Sequence, residues 1–312
     1  MANRFGSETT ADEVLAGVDL TGRLALVTGA STGLGLETAR ALGAAGACVV
    51  VMARTHEKAT AAIDALRASV PRAELEPGVV DLASTASIRA SAASFLDRHE
   101  ELHLLVNNAG VMYTPFERTI DGFELQFGTN HLGHFLLTNL LLPTLLAGAP
   151  SRIVNLSSGG HRSSDIHWDD PNYERRDYDK FESYGQSKTA NVLFSVELDR
   201  RLAGRGVHSY SVHPGMIRTD LSRYMTRDDL KELMARAARG PSGGLPGFKS
   251  IGAGAATTVW AATAPELADY GGAYLADCGV STEVAPWAVD AASAARLWAL
   301  SEQLVGQEFT VG

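Results

Sequence analysis

Short apolar runs of strand type alternate with helical patterns along almost the whole of this 312-residue chain. Between the runs, apolar residues recur every three or four positions, as they do on one face of a helix. Short connections between such segments are typical of parallel strands joined by crossover helices. We therefore predict a single α/β domain over residues 1–312, with a doubly wound parallel sheet of about seven strands and helices on both faces.

The predicted strands and helices alternate in order along the chain. Strands are expected at 24–27, 48–52, 79–80, 104–106, 153–156, 207–212 and 273–275, and helices at 34–45, 57–68, 85–97, 123–146, 183–202, 253–262 and 288–305. Pro77 and Gly78 would weaken a central strand, because proline cannot donate to the hydrogen-bond ladder. The third strand is therefore placed at an edge of the sheet. Residues 1–22 are interpreted as an N-terminal extension.

A glycine-rich turn, Thr28 to Gly35, follows the first predicted strand and opens the first predicted helix. Gly29 permits a tight turn, Gly33 lets the backbone approach a pyrophosphate, and Gly35 permits close packing of helix on strand. Unpaired N–H groups at the helix start then face the phosphates. A tight loop without a ligand is the plainer alternative, but in this βαβ context the turn predicts a dinucleotide site in a Rossmann fold. The residues expected there are Gly29, Ser31, Thr32, Gly33, Leu34 and Gly35.

The end of the second predicted strand indicates which dinucleotide is bound. An NAD site carries an acidic residue about twenty residues after the glycine turn, where it binds the ribose hydroxyls. Here the strand ends in Ala53-Arg54-Thr55, with no carboxylate. A guanidinium at Arg54 suits a 2′-phosphate, which a carboxylate would repel. We predict NADP(H) in preference to NAD(H), with a solvated arginine at a loop start as the alternative.

Tyr184 and Lys188 stand four residues apart in the helical pattern at 183–202, so they share one face of that helix. A free phenol titrates near pH ~10 and is a poor base at neutral pH. A cation one turn away stabilises the phenolate and lowers its pKa toward the working range. On its own the spacing equally fits a packed ring beside a solvated amine, so its chemical interpretation depends on the other motifs.

Charge and cysteine content exclude several classes of function. The net charge of −9 argues against nucleic acid or an anionic membrane surface as a partner. Cys48 and Cys278, the only cysteines, offer neither a disulfide framework nor a metal site, and nothing else has metal-ligand spacing. Residues 1–22 show no signal-peptide pattern, and the apolar stretch 135–147 is too short to span a bilayer. We expect a cytoplasmic protein without a metal and without a membrane partner.

Further short motifs occur in a fixed order along the chain. They are Asp81-Leu82 after the third strand, Asn107-Asn108-Ala109-Gly110 after the fourth, Asn130 in the following helix, Ser157-Ser158 after the fifth and Pro214-Gly215 after the sixth. With the glycine turn and the Tyr184–Lys188 pair, they make the chain resemble the short-chain dehydrogenase/reductase family over nearly its whole length. Several longer segments are similar to its retinol dehydrogenase and WW-domain oxidoreductase branch, namely 152–158 with His161, 188–194, 212–215, 272–278 and 297–302.

The resemblance implies a catalytic set. Tyr184 would be the general acid in carbonyl reduction and the general base in alcohol oxidation. Lys188 would lower the pKa of Tyr184 and bind the nicotinamide ribose. The catalytic serine would be Ser158 rather than Ser157, and it would hydrogen-bond the substrate oxygen. Asn130 would hold a backbone irregularity and a water that links Lys188 to solvent.

The resemblance also implies cofactor contacts along the chain. The adenine and its ribose would be contacted by Asp81, Leu82, Asn108, Ala109 and Gly110, and the nicotinamide side by Tyr184, Lys188, Pro214, Gly215, Ile217 and Thr219. Asparagine at a strand end often satisfies neighbouring backbone instead. For Asn107 and Asn108 that alternative stays open.

Two segments are longer than in the shorter members of the family, and we expect substrate identity to be determined there. They are a substrate-side loop at 159–183 and a lid at 220–249, which contains a predicted helix at 228–238 and a flexible stretch at 240–247. Candidate substrate contacts are Ser158, His161, Leu221 and Met225. The alternatives are a mobile surface loop for the lid and simple packing for the apolar residues. For His161, satisfaction by local backbone is the stronger interpretation.

The function predicted from these residues is NADP(H)-dependent interconversion of a ketone or aldehyde with the corresponding alcohol, on a small-molecule substrate. A reductase of a conjugated C=C bond and a non-catalytic dinucleotide sensor are the alternatives, and the intact Ser158, Tyr184 and Lys188 favour carbonyl chemistry. Because family members often pair through the helices that hold Asn130 and Tyr184, a homodimer or homotetramer is also expected.

Overall fold

The computed structural model describes residues 5–239 and 247–310, and these form ten strands. The strands are β1 Leu24–Val27, β2 Cys48–Ala53, β3 Leu75–Val79, β4 Leu104–Asn107, β5 Ser151–Leu156, β6 Val207–His213, β7 Met216–Ile217, β8 Phe248–Lys249, β9 Tyr274–Ala276 and β10 Gly279–Val280. Eight of them build the main sheet in the order β3-β2-β1-β4-β5-β6-β9-β10, and β7 pairs with β8 in a separate small sheet.

The main sheet confirms the predicted doubly wound architecture and adds one strand to it. Seven strands run parallel, whereas the eighth, β10, pairs antiparallel with β9. The two residues that join them, Asp277 and Cys278, have φ angles of 51° and 54°, which suits a two-residue hairpin turn. A strand of two residues has no detectable period, so the sequence pattern could not predict it.

The third strand lies at an edge, as its Pro77-Gly78 pair predicts, although it begins at Leu75 rather than at Val79. Pro77 stands opposite Val51 of β2 in the parallel register. A Cβ at Gly78 would collide with the side chain of Met52. The glycine therefore permits the close approach of the two strands.

Helices cover both faces of the sheet. They are α1 Ala11–Leu15, α2 Gly33–Ala44, α3 His56–Ser69, α4 Thr85–Leu96, α5 Leu125–Phe127, α6 Gly133–Leu140, α7 Leu142–Ala147, α8 Lys180–Arg201, α9 Arg227–Arg239, α10 Ile251–Thr263 and α11 Ala291–Val305. Ala25 and Val27 of β1 join the core with α2, α3 and α10, and Leu26 joins the opposite core with α4, α6, α8 and α11. Alternate strand residues face opposite layers, so both faces of the sheet are buried, and the central strands β1, β2 and β4 consist almost entirely of apolar residues.

The helix predicted at 123–146 is interrupted twice. A π turn at Gly128–Leu132 separates α5 from α6, and Pro143 lies in the first turn of α7, where proline is tolerated. A π turn inserts one residue into the helical repeat and often marks a functional position. This one contains Asn130.

The segment predicted as a lid begins shortly after β7 and ends in β8, the two strands of the small sheet. Met216 and Ile217 of β7 pair with Phe248 and Lys249 of β8. Between them, α9 spans the helix predicted at 228–238, and the stretch predicted as flexible lies outside the described residues except for Gly247. Among the described residues, no helix combines the length and apolar character that crossing a bilayer requires.

Candidate active site

A cavity of about 2210 Å³ opens where the carboxyl ends of β1, β4, β5 and β6 meet the lid segment. Pockets for one drug-sized ligand usually measure about 300–1,000 Å³, so this cavity has room for a dinucleotide and a substrate together. Its wall includes all of the predicted cofactor residues and three of the four candidate substrate contacts. The exception is His161.

The glycine turn forms one end of the cavity. Gly29 and Gly33 have φ angles of 63° and 59°, which favour glycine. A Cβ at Gly35 would collide with the Gly29 carbonyl and the Asn108 amide, so this position requires the close approach that the sequence predicts. α2 begins here with no side-chain cap from the described residues and no acidic residue in its first turn. Its N–H groups are therefore available to an anionic ligand.

A buried hydrogen-bond network holds the glycine turn against the end of β4. The Thr28 hydroxyl accepts from the backbone N–H groups of Asn108 and Ala109 at 2.9 and 3.0 Å, and the Asn108 side chain donates to the Thr28 carbonyl at 2.8 Å. Asn107 instead donates to Thr138 and Asn155, both at 2.8 Å, inside the core. Asn107 thus braces the sheet, whereas Asn108 both braces the turn and lines the cavity.

Arg54 lines the cavity beside Lys58, which the sequence motifs did not single out. Both side chains are exposed, and Lys58 lies in the first turn of α3, one turn beyond the Thr55 cap. Two cations therefore face the part of the cavity where the predicted adenine residues Asp81 and Leu82 lie. The spacing of a basic residue four positions after Arg54 was the available signal for Lys58.

Ser158 and Tyr184 meet at the centre of the cavity wall. Burial raises the pKa of Tyr184 to about 12, and a hydrogen bond with the Ser158 hydroxyl acts in the opposite direction. The Ser158 hydroxyl also accepts from the Gly160 N–H at 3.1 Å. A Cβ at Gly160 would come within 3.0 Å of the Tyr184 ring, so this glycine makes room for that ring. The neighbouring Ser157 hydroxyl donates to the Lys188 carbonyl at 2.9 Å, a structural role.

Lys188 is buried, so the alternative of a solvated amine does not hold. Its Nζ donates to the Leu156 carbonyl at 2.9 Å and lies 5.6 Å from the centroid of the Tyr184 ring. Burial lowers the pKa of Lys188 from 10.5 to about 8. The expected lowering of the Tyr184 pKa by Lys188 is not present in this state, because burial dominates at both residues. A phenol with a raised pKa remains protonated at neutral pH, as a general acid must.

Asn130 lies in the π turn, between the loop after β4 and α8, the helix that carries Tyr184 and Lys188. Its side chain accepts from the Val111 N–H at 2.8 Å and donates to the Val111 carbonyl at 2.9 Å and to the Ser187 hydroxyl at 3.0 Å. The Asn130 carbonyl accepts a hydrogen bond from Nδ1 of His134 at 2.9 Å. Nε2 of the same ring forms a hydrogen bond with the Thr28 hydroxyl, also at 2.9 Å. Burial lowers the pKa of His134 to about 4, so its ring is neutral. The π turn is thereby tied to the glycine turn.

The chain after β6 forms the predicted nicotinamide side of the cavity. Gly215 has a φ of 91°, and the side chain of Lys249 crosses it so closely that a Cβ would lie 2.8 Å from Lys249 Cδ. Thr219 lies against the glycine turn, 3.3 Å from where a Cβ of Gly33 would be. The predicted nicotinamide side of the cavity thus packs against the glycine turn.

Leu221 and Met225, the two candidate substrate contacts in the predicted lid, both line the cavity. Further residues that are not among the four candidate contacts also line the cavity. These are Met112, Tyr113, Phe181, Tyr224, Leu233, Met234 and Trp287. Tyr113, Phe181 and Tyr184 form one aromatic cluster, on which Met225 and Leu233 of the lid segment pack.

His161 lies behind the cavity wall rather than on it. Its Nδ1 donates to the Ser158 carbonyl at 2.7 Å, and its Nε2 accepts from the Ala285 N–H at 3.1 Å. Both ring nitrogens are engaged with backbone, and burial lowers the pKa of the ring to about 4. The structure thus shows the local-backbone alternative, and a direct substrate contact from His161 would require the ring to leave these partners.

Two ion pairs hold α9 over the start of α8, the helix that carries Tyr184 and Lys188. Lys180 Nζ lies 2.9 Å from the Asp229 carboxylate, and the Arg236 guanidinium lies 2.8 Å from the Asp179 carboxylate. Arg236 also lies over the ring of Phe181, 4.6 Å from its centroid. In the part of the chain that the structure describes, no group of three or more His, Cys, Asp or Glu side chains is placed to hold a metal ion.

Comparison with known proteins gives relatives over almost the full chain. A family model described as short chain dehydrogenase matches residues 23–230. Retinol dehydrogenase 12 of Homo sapiens is 42% identical over 289 residues, which cover 93% of this chain and 88% of that protein. Retinol dehydrogenase 13 of Homo sapiens is 44% identical over 287 residues, covering 92% and 86%. A chloroplastic short-chain dehydrogenase TIC 32 A of Brassica napus is 40% identical over 311 residues, covering 96% and 94%.

Solved structures share the fold. The crystal structure of an uncharacterised protein from Mycobacterium paratuberculosis has a TM-score of 0.74 at 35% identity and covers 97% of this chain and 100% of its own. The complex of Pseudomonas aeruginosa RhlG with NADP has a TM-score of 0.64 at 28% identity, covering 84% and 97%. The angucycline C-6 ketoreductase LanV with bound NADP has a TM-score of 0.64 at 25% identity, covering 83% and 95%.

Proposed function

This chain belongs to the short-chain dehydrogenase family, and from that premise we propose that it interconverts a ketone or aldehyde and the corresponding alcohol with NADP(H). The observation that carries the proposal is the meeting of Ser158, Tyr184 and Lys188 on the wall of one cavity that also contains the glycine turn. A sensor without turnover would not need these three side chains in one place. The names of the retinol dehydrogenases support alcohol–carbonyl chemistry as the reaction class.

The residues support reduction in a simple way. A bound reduced nicotinamide supplies the hydride. Ser158 and Tyr184 present hydroxyls to the carbonyl oxygen, and Tyr184, protonated because burial raises its pKa to about 12, donates the proton that the alkoxide requires. Lys188 keeps a positive charge below its pKa of about 8 and stabilises the phenolate that remains. Alcohol oxidation is the same path in reverse, and it becomes easier as the pH rises.

NADP(H) is the proposed cofactor because cations rather than carboxylates face the expected 2′-phosphate. Arg54 and Lys58 both line that part of the cavity. Guanidinium groups bind phosphate in a two-point geometry, and an ammonium adds a point charge. The NADP complexes of RhlG and LanV support the same choice.

The test follows the absorbance of NADPH with a panel of aldehydes, ketones and enones. We expect carbonyl-dependent oxidation of NADPH that falls at least about 100-fold in Tyr184→Phe, the lower range for loss of a general acid. Tyr270→Phe removes an exposed hydroxyl elsewhere on the surface and should leave the rate unchanged. Turnover confined to enones, with saturated ketones as products, would replace this proposal with C=C reduction.

The cofactor is tested in the same assay with NADH in place of NADPH. Arg54→Ala should raise the KM for NADPH about 10-fold or more and change that for NADH little, since one charge-assisted contact to phosphate is lost. Arg67→Ala, an exposed arginine in the last turn of α3, is the matched control. A wild-type protein that prefers NADH would contradict the role given to Arg54.

A further inference from the structure

Tyr113 has a backbone conformation that a tyrosine rarely adopts. Its φ is 53°, in the left-handed region, and it lies just after the loop that braces the glycine turn. Such a conformation is strained and persists only where the surrounding structure imposes it. Here the N–H of Tyr113 donates to Oε1 of the buried Gln126 at 2.8 Å. Glycine or asparagine would fit this position with less strain, so the tyrosine side chain itself needs an explanation.

The side chain is held at the substrate end of the cavity. Its ring meets the Tyr184 ring edge-on, with centroids 5.1 Å apart and planes at 70°, and it lies 4.6 Å from the ring of Phe181. Only 6% of the residue is exposed, yet it forms part of the cavity wall. Tyr113 is therefore rigid and next to the proposed catalytic acid.

The hydroxyl of Tyr113 has no hydrogen-bond partner among the described residues. Two other tyrosine hydroxyls do have one: that of Tyr178 donates to Glu124 at 3.1 Å, and that of Tyr210 donates to the Leu267 carbonyl at 2.7 Å. Burial raises the pKa of Tyr113 above its ordinary value. A negative charge on Tyr184 would raise this pKa further, because the two phenols are near enough to interact. Tyr113 stays a neutral donor at any working pH.

We propose that the Tyr113 hydroxyl contacts the substrate and selects carbonyl compounds that carry a second oxygen near the reacting carbonyl, that is, dicarbonyls and hydroxycarbonyls. This inference rests on the proposed function of Tyr184, because the ring contact places Tyr113 beside Tyr184 on the wall of the same cavity. A donor that is unpaired in a mostly buried site gains most from a ligand that supplies an acceptor. A ligand without the second oxygen leaves that donor unpaired, which is the basis of discrimination against it.

The test compares matched ketones in wild type and Tyr113→Phe, which keeps the ring and removes only the hydroxyl. One pair is 1-phenylpropane-1,2-dione and 1-phenylpropan-2-one, and the other is 4-hydroxy-4-phenylbutan-2-one and 4-phenylbutan-2-one. We expect Tyr113→Phe to lower kcat/KM about tenfold for the member with the second oxygen, equivalent to about 1.4 kcal/mol. For the other member, the change should stay within about twofold. Intrinsic reactivity cancels, since each substrate is compared with itself across the two proteins.

Tyr274→Phe is the matched control. The Tyr274 hydroxyl is buried and has no hydrogen-bond partner within 5–239 and 247–310, but the residue does not line the cavity. Tyr274→Phe should therefore leave kcat/KM unchanged for both ketones of each pair. An equal loss for both members in Tyr113→Phe, or no loss for either, overturns the proposal.

Failure of the proposed function is recognised separately, since wild type would then reduce none of the four ketones. In that case the dissociation constant of the dione from the protein–NADP⁺ complex is measured by calorimetry. Weaker binding in Tyr113→Phe alone supports the contact. Equal binding in both proteins, or binding in neither, overturns it.

Discussion

The amine of Lys188 is enclosed by protein and donates to the Leu156 carbonyl, which also accepts from the Asn191 side chain at 2.9 Å. In the unfolded chain the amine would keep its proton up to its ordinary pKa of 10.5, but in the folded protein only up to about 8. The folded state therefore holds fewer protons between these values, and the charge destabilises it below pH 8. The proposed role of Lys188 in catalysis therefore uses a charge that the fold disfavours, a cost often found at active sites.

Removing that charge should make the protein more stable and inactive. In Lys188→Met the Leu156 carbonyl keeps the Asn191 donor, so no buried acceptor is orphaned. We expect a higher unfolding temperature than wild type at pH 7, with a gain of at most roughly 3 kcal/mol. The gain should shrink as the pH rises from about 8 toward 10.5, because wild type then folds with a neutral amine. Thermal unfolding at pH 7 and pH 9.5 checks both points.

Lys231→Met is the control for that comparison, because Lys231 is 78% exposed in its pair with Asp228. It should change neither the unfolding temperature nor its dependence on pH. A Lys188→Met protein that is less stable at neutral pH, or whose advantage does not vary with pH, would contradict the assignment of the buried charge as the destabilising group.

At the scale of the element, α9 is held mainly by side chains at the start of α8. Asp179 uses one carboxylate oxygen to cap α8, accepting from the Phe181 N–H at 2.8 Å, and the other to bind Arg236. Lys180 binds Asp229, which also caps the start of α9. The pairs are partly exposed, so each contributes modestly and is weakened by salt. Together they hold α9 against the start of α8, at the end of the cavity where we propose that the substrate binds.

Breaking both pairs should free α9 without unfolding the domain. In Lys180→Gln/Arg236→Gln we expect faster hydrogen exchange of the α9 backbone amides, a several-fold higher substrate KM and little change in the unfolding temperature. Lys231→Gln removes a charge from the same helix in a pair that lies within α9, and should change none of these. Unchanged exchange in the double variant would show that the apolar contacts of Leu233 and Met225 hold the helix by themselves.

Local patterns located most elements, and tertiary contacts explain the exceptions. The helix predicted at 123–146 has a continuous apolar period, but the π turn around Asn130 depends on Val111 and Ser187, which no local pattern announces. β10 depends on the hairpin at Asp277 and Cys278. The glycine turn at 28–35 and the Tyr184–Lys188 pair could be found in the sequence, because each holds several residues at a fixed spacing that one function requires. Tyr113 reaches the cavity through the path of its loop and carries no such signature, and the one sequence signal for Lys58 is its position four residues after Arg54.

At the scale of the whole molecule, α11 covers the outer face of the helices that hold Asn130 and Tyr184. Trp298 lies 5.0 Å from the Phe135 ring and 6.0 Å from the Phe194 ring, and the Arg201 guanidinium lies 4.2 Å from the Trp298 centroid. Nε2 of His131 forms a hydrogen bond with the Ser301 hydroxyl at 2.8 Å. The face through which a homodimer or homotetramer is expected is thus already occupied by the chain's own last helix.

We expect the full chain to be a monomer at micromolar concentration, as judged by light scattering after size-exclusion chromatography. Trp298→Ala should remove much of the α11 contact and destabilise the protein by about 3–5 kcal/mol, as for other large buried aromatics. Trp287→Ala, a partly exposed tryptophan at the cavity mouth, is the matched control and should have a small effect. A dimer whose hydrogen exchange is protected along α8 would show that α11 is displaced in solution.

The small sheet of β7 and β8 has a consequence for how such a protein diversifies. Because Met216 pairs with Phe248 and Ile217 with Lys249, the chain returns to its point of departure after thirty intervening residues. Closing a longer loop between fixed ends costs little more, since the entropy grows only with the logarithm of length. The segment between β7 and β8 can therefore be lengthened, shortened or exchanged for that of a relative while the main sheet and the proposed catalytic residues stay unaltered. If this segment determines the substrate, as we propose, recombination at these two strands is a route to new substrate ranges.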